Sequence, residues 1–566
     1  MARKTSPNST RRFFLQTAVL GGTAAALGPF NQAYGEHRDL SIAENVGAGK
    51  GAQGHPGSAS EMRAFELDEI TIAELQAGMK SGRFSARGLV EKYTARIVEI
   101  DRAGKLGPGL NSVIELNPDS MSIAGALDKE RKEKGPRGPL HGVPVLIKDN
   151  ISTDDRMMTT AGSLALVGAK VPRDSFVAQR LRAAGAVILG KTNLSEWANI
   201  RSSHSTSGWS GRGGLTKNPY ALDRNPCGSS SGTGAGISAN LAAVGIGTET
   251  DGSIVCPSSS NGLAGIKPTV GLVSRAGIVP ISHSQDTAGP MARTVLDAAI
   301  LLGALTGADP DDEATSATAG RAQTDYAQYC DPAGLKGARI GVARKYFGFN
   351  DAVDALMEES LDAMRKQGAM LVDPADIETF GKFDDTELLV FMYELKADLN
   401  AYLARLSGSP VRTLKDVIEF NERNRAKEMP YFGQDLFVKA EAKGPLTDKE
   451  YLDALAKNRQ LTRTEGIDAL MDKHRLDAIV APTGGPAWLT DLVNGDHVAG
   501  GSSNAAAVAG YPNINVTAGF ISGLPVGISF FGRAWSEPTL IRIAFAFEQA
   551  TKARKTPKFL ASIGPG

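Results

Sequence analysis

Two serines and one lysine are the residues of this 566-residue chain whose types and positions could support chemistry. Ser229 and Ser253 stand 24 residues apart in two glycine-rich loops, and Lys148 ends an apolar stretch upstream. A serine hydroxyl is a weak nucleophile until a base takes its proton. A lysine can be that base only when its pKa falls from about 10.4, which burial can achieve. The set would therefore suit acyl transfer through a serine nucleophile.

The local pattern does not single out Lys148 from two other lysines. Lys191 follows an apolar run, and Lys267 stands before a proline in a similar stretch. A lysine at a strand end usually extends its ammonium to water, and a serine in a glycine-rich loop usually closes a turn or caps a helix. From the pattern alone the three lysines are equivalent candidates.

Two other interpretations of the first loop have less support. Gly228–Gly232 matches G-x-S-x-G with Ser230 at its centre, but residues 218–226 do not predict the strand that precedes an α/β-hydrolase nucleophile. Gly232–Gly236 lacks the lysine and the leading strand of a phosphate-binding loop. We expect these glycines to pack a helix closely against a sheet.

Several longer motifs resemble the amidase signature family, over a range from about Leu67 to Phe559. The motifs are GVPVLIKD (142–149), GKTNLSEW (190–197), PCGSSSG (226–232), GTETDGSIVCP (247–257) and GIKPT (265–269). The resemblance implies a serine nucleophile that is activated through a second serine and a lysine. It also implies the α/β fold of that family, in which helices cover both faces of a large mixed β-sheet.

Matched to these motifs, Ser253 takes the place of the nucleophile, Ser229 that of the bridging serine and Lys148 that of the base. The resemblance also implies a cis peptide bond before Ser229. Lys191 falls in a motif with a structural role in the family, so it is no longer a candidate base. The backbone amides implied for the oxyanion hole are those of Thr250, Asp251, Gly252 and Ser253. The resemblance implies no metal and no organic cofactor.

Within the family, the second serine loop is most similar to that of bacterial peptide amidases. Many relatives carry Gly-Gly-Ser-Ile-Arg, whereas this chain has Asp251 for the first glycine and Val255 for the arginine. Cys227 likewise replaces the usual glycine of the first loop, and residues 280–290 also resemble the peptide amidases. The loss of the arginine removes one cue for an acidic substrate.

The resemblance implies a serine amidohydrolase that releases ammonia from neutral amides, with the C-terminal carboxamide of a peptide as the expected substrate. The same chemistry on an aryl, fatty or small aliphatic amide is an alternative that the motifs do not exclude. A glutaminase subunit of a tRNA-dependent amidotransferase is disfavoured by two features. The N-terminus carries a pair of arginines typical of an export signal, and the chain has no net basic charge. A non-catalytic binding protein is disfavoured because all three catalytic positions are present.

Charge and cysteine content exclude other classes of protein. The 62 basic and 62 acidic residues cancel, with no long run of either sign, so nucleic acid is not an expected partner. The three cysteines have no metal-like spacing and no disulfide framework, although one disulfide is possible. The sequence leaves open whether Cys227 and Cys256 pair, and it does not indicate the oligomeric state.

Helical patterns alternate with short apolar runs over residues 65–560, which predicts a single α/β domain. In one such unit, Asp174 could cap a helix that ends at Gly185 before a buried strand. Residues 380–470 are charged and helical, and we interpret them as an elaboration of the domain.

The N-terminus is typical of an export signal. Two adjacent arginines, Arg11 and Arg12, precede an apolar run and a small-residue cleavage pattern. This order predicts a twin-arginine signal peptide over residues 1–35 and a periplasmic or secreted protein. The composition of residues 36–64 predicts a flexible leader. No later segment is apolar enough to cross a bilayer, so we expect no stable membrane association after the signal is removed.

Overall fold

The structure is a computed structural model that describes residues 65–102 and 109–564. The expected signal peptide (1–35) and leader (36–64) lie outside these residues, so both stay predictions. Within the described residues, no helix is both long enough and apolar enough to span a membrane.

Most strands belong to one large sheet. The strands are β1 (Val113–Leu116), β2 (Pro144–Lys148), β3 (Val187–Thr192), β4 (Trp209–Ser210), β5 (Gly214–Leu215), β6 (Val244–Glu249), β7 (Ala264–Lys267), β8 (Thr287–Ala292), β9 (Arg339–Val342), β10 (Met370–Val372), β11 (Ala478–Pro482), β12 (Asn513–Ile521) and β13 (Leu524–Phe531). Eleven of them form a sheet in the order β1-β3-β2-β6-β8-β7-β12-β13-β11-β9-β10, and β4 pairs with β5. Parallel pairing joins β2 to β3 and β6, and joins β9 to β10 and β11. The other neighbours are antiparallel, so the sheet is mixed, as expected.

Helices connect most of these strands. They are α1 (Ile72–Ser81), α2 (Ala86–Arg96), α3 (Ser120–Lys134), α4 (Phe176–Ala183), α5 (Ser231–Ser238), α6 (Val255–Ser260), α7 (Val295–Leu305), α8 (Asp351–Lys366), α9 (Asp384–Ala404), α10 (Leu414–Arg423), α11 (Arg425–Glu428), α12 (Asp435–Glu441), α13 (Lys449–Arg459), α14 (Asp468–His474), α15 (Asn504–Ala509) and α16 (Glu537–Thr551). Every residue of the central strands β2, β3, β6, β11 and β13 is buried. Strands buried along their whole length need cover on both faces, so the expected α/β architecture is confirmed.

The helix expected after Asp174 is α4, but a different residue caps it. Ser175 stands directly before the first turn, and its Oγ accepts a hydrogen bond from the amide of Ala178 at 3.2 Å. Asp174 lies one residue further out and accepts a hydrogen bond from Arg182 Nε at 2.8 Å. The prediction was therefore wrong by one residue, because both residue types are good caps and only the chain path decides between them.

Gly232, Gly234 and Gly236 lie in α5, which is buried along its whole length. A Cβ atom on Gly232 would lie 2.3 Å from the carbonyl oxygen of Ser112 and 2.4 Å from that of Asn193. The Gly232 amide also donates a hydrogen bond to Asn193 O at 2.9 Å. Glycine is thus needed for the close approach of helix and backbone, as the sequence predicted.

The charged segment 380–470 is helical, as expected, and supplies α9 to α13. Apolar side chains of α9, α10 and α12 pack on residues of the segments 161–200 and 279–281. Phe391, Leu395 and Leu399 of α9 join Trp197 and Ile281 in one buried cluster. Helix α9 therefore supports the loop that contains Ile281.

We predict that Gly232→Ala lowers the melting temperature. The added methyl group overlaps two backbone oxygens that cannot rotate away, and overpacking of this kind costs roughly 1–3 kcal/mol. The matched control is Gly125→Ala in α3, where an added Cβ meets no atom within 4 Å. That change should raise helix stability by about 0.5–1 kcal/mol. Equal melting temperatures for the two variants in differential scanning calorimetry would contradict the close-packing argument.

Candidate active site

Lys148 lies at the end of β2 with no exposed surface. Its Nζ atom is 2.8 Å from Ser229 Oγ and 2.8 Å from Thr248 Oγ1. The carbonyl oxygen of Thr248 is a third neighbour at 3.2 Å. The lysine and the first serine that the family motifs pointed to are therefore in direct contact.

The environment of Lys148 favours a neutral amine. Burial lowers the pKa of Lys148 to about 7, although the nearby carboxylates of Asp286 and Glu249 act in the opposite direction. An amine with this pKa is present in both protonation states at neutral pH. Lys148 can therefore accept a proton and return it.

Ser229 is buried at the start of the segment that leads into α5. The peptide bond between Gly228 and Ser229 is cis, as the resemblance implied. The Ser229 carbonyl accepts a hydrogen bond from the amide of Ser195 at 3.0 Å. This contact ties the first serine loop to the segment that follows β3.

The neighbouring Ser230 has a structural role. Its Oγ donates to the carbonyl of Thr248 at 3.1 Å and accepts from the amide of Thr248 at 3.2 Å. No named strand lies within residues 218–226, so the context of an α/β-hydrolase nucleophile is absent from this described segment. The structure thus disfavours Ser230 as the nucleophile.

Ser253 belongs to the loop between β6 and α6, and it lines the same cavity as Ser229. Its carbonyl accepts a hydrogen bond from the amide of Ser230 at 3.3 Å, which joins the two serine loops. Thr250, Asp251 and Gly252 line the cavity beside it. The three residues that the motifs single out are thus brought to one place.

Glu249 holds the far end of this second loop. Its Oε2 accepts hydrogen bonds from the amides of Ile254 at 2.7 Å and Val255 at 3.0 Å. Within the loop, Gly252 has a φ of +77°, a backbone conformation that favours glycine. The turn that carries the four implied oxyanion-hole amides is therefore fixed where it leaves β6 and where it enters α6.

The two competing lysines form hydrogen bonds to groups outside the serine loops. Lys191 Nζ donates to Thr159 Oγ1 at 3.0 Å, and Lys267 Nζ donates to the carbonyl of Tyr511 at 2.7 Å. Burial lowers the pKa of both lysines to about 8. A lowered pKa therefore does not distinguish Lys148 from the other two, whereas its contact with Ser229 does.

A disulfide joins the two serine loops. Cys227, two residues before Ser229, is bonded to Cys256, three residues after Ser253, with the Cα atoms 6.1 Å apart. The pairing that the sequence left open is therefore formed, and Cys330 is a free cysteine. The bond ties the two loops together, and both cysteines line the cavity.

The cavity beside the serines has a volume of about 780 Å³. Its wall combines apolar side chains such as Val255, Phe391 and Trp488 with polar ones such as Asn199 and Asn494. Pockets of 300–1,000 Å³ with this mixed character bind small organic ligands. The cavity is large enough for several residues of a peptide.

One group of residues in the described chain brings together side chains of the types that bind metals. His283, Glu394 and Asp398 offer ligand atoms within 4.8 Å of one another. The group is already satisfied internally: His283 Nδ1 lies 2.8 Å from Asp398 Oδ2, and Glu394 accepts from Ser282, Ser284 and Tyr451. We therefore describe it as an ion-paired cluster that fastens the 282–284 segment to α9.

Sequence reasoning missed two residues that touch the site. Thr248 Oγ1 accepts from Lys148 and from Asn150 Nδ2 at 3.0 Å, and Asp286 accepts from Thr250 Oγ1 at 2.5 Å. Both residues stand in motifs that were noticed, but their contacts depend on how β6 pairs with β2 and β8. The pattern of residues alone does not contain that register.

Three comparisons with known proteins agree on the family. The sequence model described as "Amidase" matches residues 96–541. The chain is 46% identical to a probable amidase of Arabidopsis thaliana over 517 residues, which covers 89% of this chain and 95% of the relative. It is similar to the native peptide amidase from Stenotrophomonas maltophilia, with a TM-score of 0.83, 49% identity and coverage of 88% of this chain and 100% of that one.

A peptide amidase in complex with the competitive inhibitor chymostatin is similar to the same extent. Its TM-score is 0.85 and its identity 50%, again over 88% of this chain and 100% of that one. The family model spans most of the chain, and the identities lie far above the level at which only a fold is shared. The chain therefore belongs to the amidase family, and it is a hydrolase that acts on amide C–N bonds.

Proposed function

We propose that the protein is a serine amidase that releases ammonia from the C-terminal carboxamide of peptides. The observation that carries the proposal is the 2.8 Å contact between Nζ of the fully buried Lys148 and Oγ of Ser229, beside a cavity that Ser253 also lines. A neutral lysine linked to a serine relay can take the proton that a serine nucleophile must lose.

In the proposed mechanism, Ser253 Oγ attacks the carbonyl carbon of the amide and gives its proton to Ser229. Ser229 in turn gives its own proton to Lys148, which becomes an ammonium. When the C–N bond breaks, the protons pass back along the same path and one reaches the departing nitrogen, which leaves as ammonia. Water then attacks the acyl group on Ser253 by the same proton path, and the free acid leaves.

The negative charge on the attacked oxygen needs hydrogen-bond donors that are already in place. We assign this role to the backbone amides of the second serine loop, which are those of Thr250, Asp251, Gly252 and Ser253. The two amides that Glu249 binds fix the turn next to them. In a comparable enzyme, removal of one such donor raises the activation barrier by about 3–4 kcal/mol. A loop that holds its amides in fixed positions therefore favours the reaction.

Two observations support a neutral peptide amide as the substrate. Val255 lines the cavity at the position where many relatives carry an arginine, so that wall presents an apolar side chain. The chain is also about half identical to peptide amidases over their whole length, at 49% and 50%. An aryl, fatty or small aliphatic amide remains the second candidate for the same chemistry.

We also propose that the protein is exported. The twin-arginine pattern at the N-terminus supports export, and the disulfide between Cys227 and Cys256 supports an oxidising destination. Disulfides persist in the periplasm and outside the cell, and they are rare in a reducing cytoplasm.

The first prediction concerns the nucleophile and the substrate. Residues 36–566 should release ammonia from a peptide carboxamide faster than from glutamine, an aliphatic amide or an anilide. Ser253→Ala should reduce this release by at least roughly 10³-fold, since the attacking oxygen is lost. Ser230→Ala should keep measurable activity because Ser230 Oγ bonds only to the backbone of Thr248. An inactive Ser230→Ala beside an active Ser253→Ala would contradict the assignment of the nucleophile.

A second prediction concerns pH. Only the neutral amine of Lys148 accepts a proton, so kcat/KM should rise with pH through the lysine's pKa of about 7 and then level off. Below that pH, activity should fall about tenfold for each unit. Lys148→Met should remove the activity at every pH. A wild-type profile that stays flat from two units below to two units above pH 7 would exclude Lys148 as the base.

A third prediction tests export. Fusion of residues 1–35 to a reporter protein that folds in the cytoplasm should send it to the periplasm of a bacterium with twin-arginine export. Replacement of Arg11 and Arg12 by lysine should keep the reporter in the cytoplasm, because this pathway recognises the arginine pair. Cell fractionation measures where the reporter is found. Equal export of the lysine variant and of the original fusion would contradict the proposal.

A further inference from the structure

Asp286 links the loop before β8 to the second serine loop. One carboxylate oxygen accepts a hydrogen bond from Thr250 Oγ1 at 2.5 Å. The other accepts from the amides of Ile281 at 2.8 Å and Ser282 at 3.0 Å. A single side chain therefore holds two segments of backbone in fixed positions.

The strand register explains why Asp286 lies near Lys148. Strands β6 and β8 are antiparallel with Glu249 opposite Thr287, and Thr287 Oγ1 donates to the carbonyl of Glu249 at 3.0 Å. Residues 248 and 250 are two apart, so along an extended chain their side chains point to the same face. Lys148 binds the hydroxyl of Thr248, and Asp286 binds that of Thr250. The ammonium of Lys148 and the carboxylate of Asp286 thus lie on the same side of the segment 248–250.

Of the nearby carboxylates, that of Asp286 favours the protonated form of Lys148 most strongly, and that of Glu249 is second. Burial raises the pKa of Asp286 to about 6, and hydrogen bonds from Thr250, Ile281 and Ser282 oppose this rise. The carboxyl is therefore mostly ionised at the pH where the lysine titrates.

Other charged groups around Asp286 are held in ion pairs. Arg275, which also faces Asp286, is paired with Asp312. His283 contacts Asp398 and Glu394; burial opposes its charge, but these two carboxylates raise its pKa. These pairs fix the segment that leads to Asp286, so the carboxylate is held in place rather than free to turn into solvent.

We propose that Asp286 is a positioning residue for the hydrolysis of amides: it holds Thr250 at the oxyanion loop, and its charge stabilises the Lys148 ammonium that forms when Ser253 attacks. This inference rests on the proposed function, because it takes Ser253 as the nucleophile and Lys148 as the base. Asp286 touches neither the substrate nor the reacting atoms. It acts through its hydrogen bond to Thr250 and through the electrostatic effect of its charge on Lys148.

The experiment follows the reaction of a fluorophosphonate probe with the protein across a range of pH. In this reaction Ser253 Oγ forms a bond to phosphorus, fluoride leaves, and the serine proton passes to the base. The rate therefore reports the state of Lys148 without any choice of amide substrate. The midpoint of the wild-type profile should lie near the lysine's pKa of about 7.

Asp286→Asn should move this midpoint to lower pH by roughly one unit, since loss of a nearby negative charge destabilises the ammonium. Thr250→Val removes the hydroxyl that bonds to Asp286 but keeps the charge, so it should leave the midpoint in place. It should lower kcat for ammonia release by roughly 10-fold through a misplaced oxyanion loop, with less effect on KM. The matched control is Asp398→Asn, which removes another carboxylate of the same region and should leave the midpoint unmoved.

Folded Asp286→Asn protein with the wild-type midpoint would overturn the role of the charge. Wild-type kcat in Thr250→Val would overturn the role of the hydrogen bond. If Asp286→Asn does not fold, Asp286→Glu is used instead. This variant keeps the charge, so the midpoint of its profile should stay in place, but it should react with the probe more slowly than the wild type. Reaction at the wild-type rate would overturn the proposal. A wild-type protein that is labelled at Ser253 but spares peptide amides overturns only the proposed substrate, and one without labelling overturns both inferences.

Discussion

The burial of one amine sets the conditions for the whole site. A lysine in water is an ammonium and cannot take a proton, so Lys148 can act as the proposed base only when it is removed from solvent. Complete removal without any opposite charge would make the ammonium too costly to form. The carboxylates of Asp286 and Glu249 offset part of the cost of burial, and the pKa settles at about 7. The large sheet and its covering helices supply the dry environment that this balance requires.

The topology of the sheet brings together the residues of the proposed proton relay. Strands β2 and β6 are parallel neighbours, so Lys148 and Thr248 leave the sheet at the same edge. The segment before α5 then crosses this edge and presents Ser229 to the lysine. A hydrogen bond from the Ser230 amide to the carbonyl of Ser253 sets the second serine loop against the first. Residues that are distant along the chain thus become neighbours through a few backbone contacts.

The sequence allowed the three catalytic candidates to be predicted, but only through whole motifs. Local pattern could not choose among Lys148, Lys191 and Lys267, and the structure explains why, since all three are fully buried at strand ends or beside them. They differ in the partner of the Nζ atom, which is a tertiary contact. For the same reason Asp286 was noticed within a motif but received no role, and the pairing of Cys227 with Cys256 stayed open. The capping error at Asp174 has a local cause, because two adjacent residues were both suitable caps.

The disulfide between Cys227 and Cys256 closes a covalent ring of the chain that contains both serines. Within such a ring the two serines proposed for catalysis are covalently linked through their loops, so a shift of one loop is restrained by the other. In the proposed function, adjustment to the shape of the acyl group falls to other parts of the lining, such as the irregular stretch that carries Trp488 and the 86% exposed Val493. On this proposal, tolerance for varied side chains and the geometry of bond cleavage depend on different parts of the chain.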